Sequence, residues 1–220
     1  MAHEDLLASS EFFAVASPDV IASIAAAGHD RTVVRGDVLF KEGDPANSLY
    51  IVIRGRIAIA IANPIDQRES VVALMEPGDL FGEMAMLDDG PRSAMARALE
   101  PSKVFAIPYD PVLALFREQP ELLWGVTRLL ARRLRVMDDN LADSVFLDVT
   151  GRTAKRLLEL SDGIDEFVLP VTQEELAGMV GASRERVNKA IASFIRLGWI
   201  EQHERRYTII KRSSMEIRAR

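Results

Sequence analysis

Between Glu121 and about Leu147 the chain carries no proline and a single glycine, Gly125. Within that run Leu123, Thr127, Leu130, Leu134, Met137, Leu141 and Ser144 fall at alternating spacings of four and three, apolar at five of the seven positions. Such spacing draws one stripe along a helix long enough for a two-stranded coiled coil. A helix of that length cannot be tucked inside a small globule, so the remaining residues must be arranged before and after it. The stripe predicts self-association. The competing use is packing against the chain's own domain, which a second apolar stripe could also serve. Asp148 has the chemistry of an N-cap, so one helix is expected to end near Leu147 and another to start at Val149. A break between helices at a domain boundary is a place for a hinge.

The texture differs on the two sides of this helix. Residues near 5–28 look helical around Pro18. From Val33 to Pro108, short β-rich stretches alternate with turn signals: Val38–Lys41, Leu49–Ile53, Ile57–Ile61, Val71–Met75 and Lys103–Ile107, separated by Gly36-Asp37, Gly43-Asp44, Gly55 and Pro77-Gly78-Asp79. This punctuation predicts a compact β barrel or sandwich. The pattern turns helical again from Asp110. We therefore expect three parts: residues 1–120, the long helix with its hinge at 121–147, and a smaller module at 148–220.

Charge is distributed unevenly over these parts. The whole chain has a net charge of −6, yet residues 149–220 hold 13 Lys/Arg against 10 Asp/Glu. From Leu176 to the end the balance is 10 basic to 4 acidic. A basic module on an acidic domain is the footprint of a regulated nucleic-acid binder, although a solvated basic tail has the same composition. There are no cysteines, which excludes disulfides, thiol catalysis and thiolate-bound metals. The three histidines, His3, His29 and His203, are too scattered to suggest a metal site. No stretch reaches the apolar length of a membrane span, and the N-terminus is acidic where a signal peptide is basic. A cytoplasmic protein without a membrane partner is expected.

Motifs decide between the charge readings. Thr172 and Glu175 have the spacing of a capping box. They open a short helix that ends at Gly181, a residue free to take the positive φ of a sharp turn. Ser183 can cap a second helix with Val187, Ile191 and Phe194 on its inner face, and small Ala177 lets the two helices cross closely. Arg184, Glu185, Arg186, Asn188 and Lys189 then occupy the early turns, the part of such a helix that meets base edges. Arg can fork onto guanine and Glu can accept from cytosine N4. Gly198 ends the helix, and Trp199–Ile210 reads as a hairpin around Glu204-Arg205, a wing. A charged, solvated helix face is the plainer alternative for Arg184–Lys189.

With these residues in view, the chain resembles the cyclic-AMP receptor protein/fumarate-nitrate regulator family of bacterial transcription factors over about Phe12 to Ile210. The most specific elements are Phe81-Gly-Glu-Met-Ala-Met-Leu-Asp-Asp-Gly-Pro-Arg-Ser-Ala94 and Gly181-Ala-Ser-Arg-Glu-Arg-Val-Asn-Lys189. Glu42-Gly-Asp44, Leu49-Tyr-Ile51, Ala131-Arg-Arg-Leu134 and Phe146-Leu-Asp-Val-Thr-Gly-Arg152 agree. The resemblance implies an α+β architecture: an N-terminal cyclic-nucleotide-binding β-roll (jelly roll), a long dimerisation helix, and a C-terminal winged helix-turn-helix. It also implies a homodimer joined through residues 121–147, double-stranded DNA as a partner, RNA polymerase as a further one, and no enzymatic activity or metal.

Gly82, Glu83, Met84, Arg92 and Ser93 fall on the phosphate-binding cassette. Arg92 would meet a cyclic phosphate, Ser93 would add a hydroxyl, backbone N–H groups from Glu83 to about Leu87 would face the anion, and Glu83 would accept from a ribose 2′-OH. The alternative is that Arg92 and Glu83 pair only to brace a loop. Met137 and Asp138 stand where the family usually presents Thr followed by Ser or Asn towards the base. Met137 suits coiled-coil packing, whereas Asp138 could accept from adenine N6 or from guanine N1–H and N2. Cyclic AMP is the first expectation for the effector and cyclic GMP the alternative. In the C-terminal module Arg184, Glu185 and Lys189 match positions reading a TGTGA-type half-site, with Lys189 in place of the more usual Arg. Thr150, Gln173 and Ser183 match phosphate contacts. His203 lies at the wing tip, as a phosphate contact or a plain turn residue, and a phosphate contact is the expectation for Arg186. A nucleotide-independent DNA-binding regulator is the rival function.

Overall fold

A computed structural model describes residues 3–62 and 69–220. The chain divides into two compact units. The first comprises Met1–Ile61 with Val72–Arg135, the second Ala62–Val71 with Val136–Arg220.

The first unit opens with α1 (His3–Ser9), a 3₁₀ turn at Glu11–Phe13 and α2 (Pro18–Ala27). Ser17 caps α2 by accepting from the Val20 N–H, and Pro18 sits at the first position, where its missing N–H costs no hydrogen bond. The strands follow: β1 (His29–Val33), β2 (Val38–Phe40), β3 (Ser48–Arg54), β4 (Ile57–Ala62), β5 (Glu69–Met75) and β6 (Leu80–Phe81). A single turn, α3 (Met84–Leu87), separates them from β7 (Met95–Ala98) and β8 (Ser102–Pro108), after which come α4 (Tyr109–Glu118) and a 3₁₀ turn at Pro120–Leu122. The strands form two four-stranded sheets of order β1-β8-β3-β6 and β2-β7-β4-β5. All five expected β stretches are strands. The sequence reading passed over β1, whose residues are mostly polar, and β6 and β7, which are too short or too alanine-rich to stand out.

Two apolar clusters fill this unit. One joins Leu6, Phe12, Ile24, Leu49, Phe105, Ile107 and Val112, and the other Tyr50, Val52, Ile57, Phe81, Ala96 and Val104. The long helix α5 (Leu123–Phe146) feeds the first of them: Leu122, just ahead of it, and Val126 are buried there, with Leu129 packed alongside. Each such side chain contributes about 1.5–3 kcal/mol. Both stripes therefore exist on one helix. The second stripe is spent on the chain's own core, and the first, Leu123, Leu130, Leu134, Met137 and Leu141, is exposed.

The second unit is built on α6 (Val149–Leu160), β9 (Glu166–Val168), α7 (Gln173–Val180), α8 (Arg184–Arg196), β10 (Ile200–His203), β11 (Arg206–Ile209) and α9 (Arg212–Arg218). Asp148 is the N-cap of α6, its carboxylate accepting from the Gly151 N–H at 2.8 Å, and Arg218 of α9 donates to the same carboxylate. The capping box of α7 is complete: Thr172 N donates to Glu175 Oε2 at 2.6 Å and Glu175 N to Thr172 Oγ1 at 3.2 Å. Gly181 then turns the chain at φ +68°, where a side chain would be strained, and Ser183 caps α8. Leu176, Ala177, Val180, Val187, Ile191 and Phe194 are buried, so the two helices close on one another as their spacing requires. The wing is a three-stranded sheet of order β10-β11-β9; strand β9 has no signal in the sequence strong enough to predict it.

Candidate functional site

The cassette starts where β6 runs out. Gly82 bends the chain at φ +80°, Glu83 follows, and α3 makes its one turn before Asp88-Asp89-Gly90-Pro91 leads to Arg92. The return is tied down by backbone bonds: Arg92 N donates to Asp44 O at 3.0 Å and Gly43 N to Arg92 O at 2.8 Å. Glu42-Gly-Asp44 thus serves as the loop's anchor. A single turn has little macrodipole, so charge at this place comes from side chains rather than from α3.

Gly82, Glu83, Met84, Arg92 and Ser93, the residues the resemblance singles out, lie on this one loop, with Arg92 bonded to Gly82 and Ser93 to Met84. Arg92 is 4% exposed and Glu83 fully buried. They do not brace one another. Arg92 Nη1 donates to Gly82 O at 2.8 Å and to the Tyr109 hydroxyl at 2.9 Å, and Nη2 to Ser48 O at 2.6 Å. The guanidinium lies 4.0 Å over the Phe40 ring, beside the stacked rings of Tyr50 and Phe81. Glu83 Oε1 instead takes Arg133 of α5, whose other nitrogen reaches Leu80 O. Burial pushes the Glu83 carboxyl above the usual carboxylate range, opposed by the charge of Arg133. Ser93 and Met84 are exposed, with Ser93 Oγ 3.6 Å from the Met84 sulfur.

Among the described residues, two buried polar atoms of this cassette find no partner, Arg92 Nε and Glu83 Oε2. One is a cationic donor, the other a carboxylate acceptor. Leaving such groups dry and unpaired costs about 1–3 kcal/mol each, and more when charged, so they call for a ligand with an anion and a hydroxyl. A cyclic nucleotide offers both. Met137 and Asp138 are exposed residues of α5.

Sequence reasoning missed Arg133, Tyr109, Phe40 and Ser48. Arg133 could have been found: it continues the inward stripe Leu122, Val126, Leu129, where an arginine has no business unless it reaches a buried acceptor. Tyr109 and Ser48 are set by strand register and give no local signal.

In the second unit Arg184, Glu185, Arg186 and Lys189 stand exposed on the first turns of α8. Glu185 and Lys189 are ion-paired at 2.7 Å, and that pair holds the Glu185 carboxyl below its usual range. Both partners are largely solvated, so breaking the pair costs little. Thr150, Arg186 and Lys189 line one concavity of about 350 Å³ with Asp148 and Ser193. Ser183 is exposed and its hydroxyl accepts from Arg186 N at 3.4 Å; Gln173 is half-buried in the first turn of α7. His203 is exposed at the end of β10, paired in register with Arg206 across the wing turn. Among the described residues no group of three or more His, Asp or Glu could hold a metal ion. None of their helices is long and apolar enough to cross a membrane.

Residues 30–119 match the cyclic nucleotide-binding domain family, and residues 151–216 the Crp-like helix-turn-helix domain family. Over 99% of its length the chain is 37% identical to all of the CRP-like cAMP-activated global transcriptional regulator of Mycobacterium tuberculosis. The chain belongs to the cyclic-AMP receptor protein/fumarate-nitrate regulator family. It is also similar to the cyclic AMP receptor protein of Thermus thermophilus, 36% identical over 73% of this chain and 74% of the relative. Among solved structures it resembles the regulator CLP of Xanthomonas campestris, described as c-di-GMP responsive, with a TM-score of 0.76 at 27% identity over 88% of this chain and 99% of the other. The catabolite activator protein of Thermus thermophilus gives a TM-score of 0.54 at 30% identity, covering 96% and 98%. Membership makes this a transcription regulator of α+β fold with a cyclic nucleotide-binding domain and a DNA-binding helix-turn-helix.

Proposed function

We propose that the protein is a homodimeric, sequence-specific regulator whose grip on a palindromic site with TGTGA-like half-sites responds to a cyclic nucleotide, cyclic AMP first among them. The observation that carries this is the pair of unpartnered buried atoms in the cassette. Arg92 Nε faces the cyclic phosphate and Glu83 Oε2 accepts from the ribose hydroxyl, with Gly82, Met84 and Ser93 lining the approach. Arg133 aims the Glu83 carboxyl and opposes the upward push of burial on it. The curated relative from Mycobacterium tuberculosis, named as cAMP-activated, supports cyclic AMP as the effector. Asp138 leaves cyclic GMP as the alternative.

Dimerisation is supported by the exposed seam of α5, where Leu134, Met137 and Leu141 are 59%, 66% and 64% exposed. DNA reading falls to Arg184, Glu185 and Lys189 on base edges, and to Thr150, Gln173, Ser183, Arg186 and His203 on phosphates. Lys189 keeps the charge of an arginine without its bidentate fork. Two such helices in one dimer meet neighbouring major grooves about 34 Å apart. RNA polymerase is the further partner such a regulator needs.

Calorimetric titration with cyclic AMP, cyclic GMP and cyclic di-GMP, repeated on Arg92→Ala, tests the effector. Saturable binding of one of them by the wild type, and its loss in the variant, is expected. Normal operator binding by Arg92→Ala with no response to any of the three would instead establish a nucleotide-independent regulator with a purely structural cassette.

A further inference from the structure

We infer that Tyr109 is a positioning residue of the anion site: it fixes the fork of Arg92 so that the Nε edge alone is offered to a ligand. The inference rests on the cyclic-nucleotide reading of the cassette for its ligand, but its geometry stands by itself. Arg92 is buried and, among the described residues, pairs with no carboxylate, since Glu83 is engaged with Arg133. A dry cation held only by neutral acceptors is expensive and has two ways out: a counter-anion, or rotation of the long side chain towards water. The structure closes the second. Gly82 O and the Tyr109 hydroxyl hold Nη1, Ser48 O holds Nη2, and the Phe40 ring lies 4.0 Å from the guanidinium carbon.

Of these four contacts two come from main-chain carbonyls and one from an aromatic face. Tyr109 supplies the only side-chain hydrogen bond among them. Its hydroxyl sits between Arg92 and Gly82, accepting from Nη1 and donating to Gly82 O. It therefore ties the start of α4 to the glycine that begins the cassette and to the arginine that ends it. The other charges of the cassette, Glu83 and Arg133, are paired with one another, and the rings of Tyr50 and Tyr109 lie 5.6 Å and 5.7 Å from the Arg92 guanidinium. Without the hydroxyl, Nη1 keeps a single acceptor, the fork can swing, and the Nε donor no longer waits in a fixed direction.

Tyr109→Phe removes one oxygen and keeps the ring, so the fold survives. Cyclic AMP affinity by calorimetry should fall about tenfold, the size expected for loss of one hydrogen bond to a charged group. In protein labelled with ¹⁵N-arginine, the Arg92 Nε–H resonance should be sharp and protected from exchange in the wild type and broadened in Tyr109→Phe. Phe40→Leu, which removes the stacking face, should broaden the same resonance. An affinity within twofold of the wild type overturns the inference. So does an affinity loss that leaves the Arg92 resonance unchanged, because the hydroxyl would then act through the fold and not through the arginine. If the wild type binds no cyclic nucleotide while the resonance still broadens in Tyr109→Phe, the positioning role holds and the cyclic-nucleotide reading fails.

Discussion

Glu83 is the residue at which chemistry and stability oppose one another. Its carboxyl is raised by burial from an ordinary value of 4.5 and pulled back down by Arg133. A carboxyl raised in the folded state favours folding while it is protonated, and that contribution is lost as pH rises through the folded pKa. Glu83→Gln, neutral throughout and still able to accept from Arg133, should therefore gain thermal stability relative to the wild type as pH is raised above 4.5. Parallel melting curves at acidic and neutral pH read this directly; a constant difference would show that Arg133 fully compensates the burial. The same variant should bind cyclic AMP about tenfold more weakly, since a neutral amide accepts less strongly from a hydroxyl than a carboxylate does. Asp148 behaves in the opposite sense. The Gly151 N–H, and after it Arg218, hold its carboxyl below 3.8, so its stabilisation exists above that pH and disappears as pH falls. Asp148→Ala should cost about 1 kcal/mol at neutral pH, with the cost shrinking in acid, while Asp148→Asn keeps the cap and loses less. Denaturant titration of the three proteins tests this ordering.

At the scale of elements, α5 divides its apolar side chains between the chain's own core and the surface. The sequence left room for a second stripe without naming its residues; in the structure Leu122 and Val126 are buried in the chain's own unit, with Leu129 packed against them. That assignment leaves Leu130, Leu134, Met137 and Leu141 exposed in one line along the helix, the kind of apolar surface that marks an interaction site. Leu134→Glu places a charge in the middle of the stripe. Sedimentation velocity should show the wild type as a dimer and this variant as a monomer, with its circular dichroism retained because Leu134 is exposed and belongs to neither apolar cluster. A variant that stays dimeric would remove α5 from the interface. The helix-turn-helix was the most legible element, because its caps, turn glycine and small crossing residue are each local. Thr172, Glu175, Gly181 and Ser183 all do in the structure what their spacing predicts. Strands β1, β6, β7 and β9 were not legible, since a strand that is mostly polar, alanine-rich or only two or three residues long exists only because a partner strand pairs with it.

For the whole molecule, the proposal is a linkage between two binding events. Effector can change DNA affinity only through unequal affinity for two arrangements of the protein, and the same factor must then appear in effector affinity when DNA is bound. Cyclic AMP titrations with and without a palindromic operator duplex should give dissociation constants differing by about five- to 150-fold, matched by the shift in operator affinity with and without nucleotide. Equal constants in both experiments would mean the two sites are uncoupled.

By itself the sequence determined the capping and turning of the two short C-terminal helices, the five clearest strands and the apolar stripe of α5, because all of these depend on residues close together in the chain. It could not choose which acceptors Arg92 would use, or that Glu83 would turn away from Arg92 to Arg133. Those contacts join Ser48, Gly82, Tyr109 and Arg133 across long separations, and only strand register and helix packing bring them within hydrogen-bond reach. The two atoms left without partners are a product of that packing too: burial makes an orphaned donor and acceptor costly, and no linear pattern records which atoms end up dry.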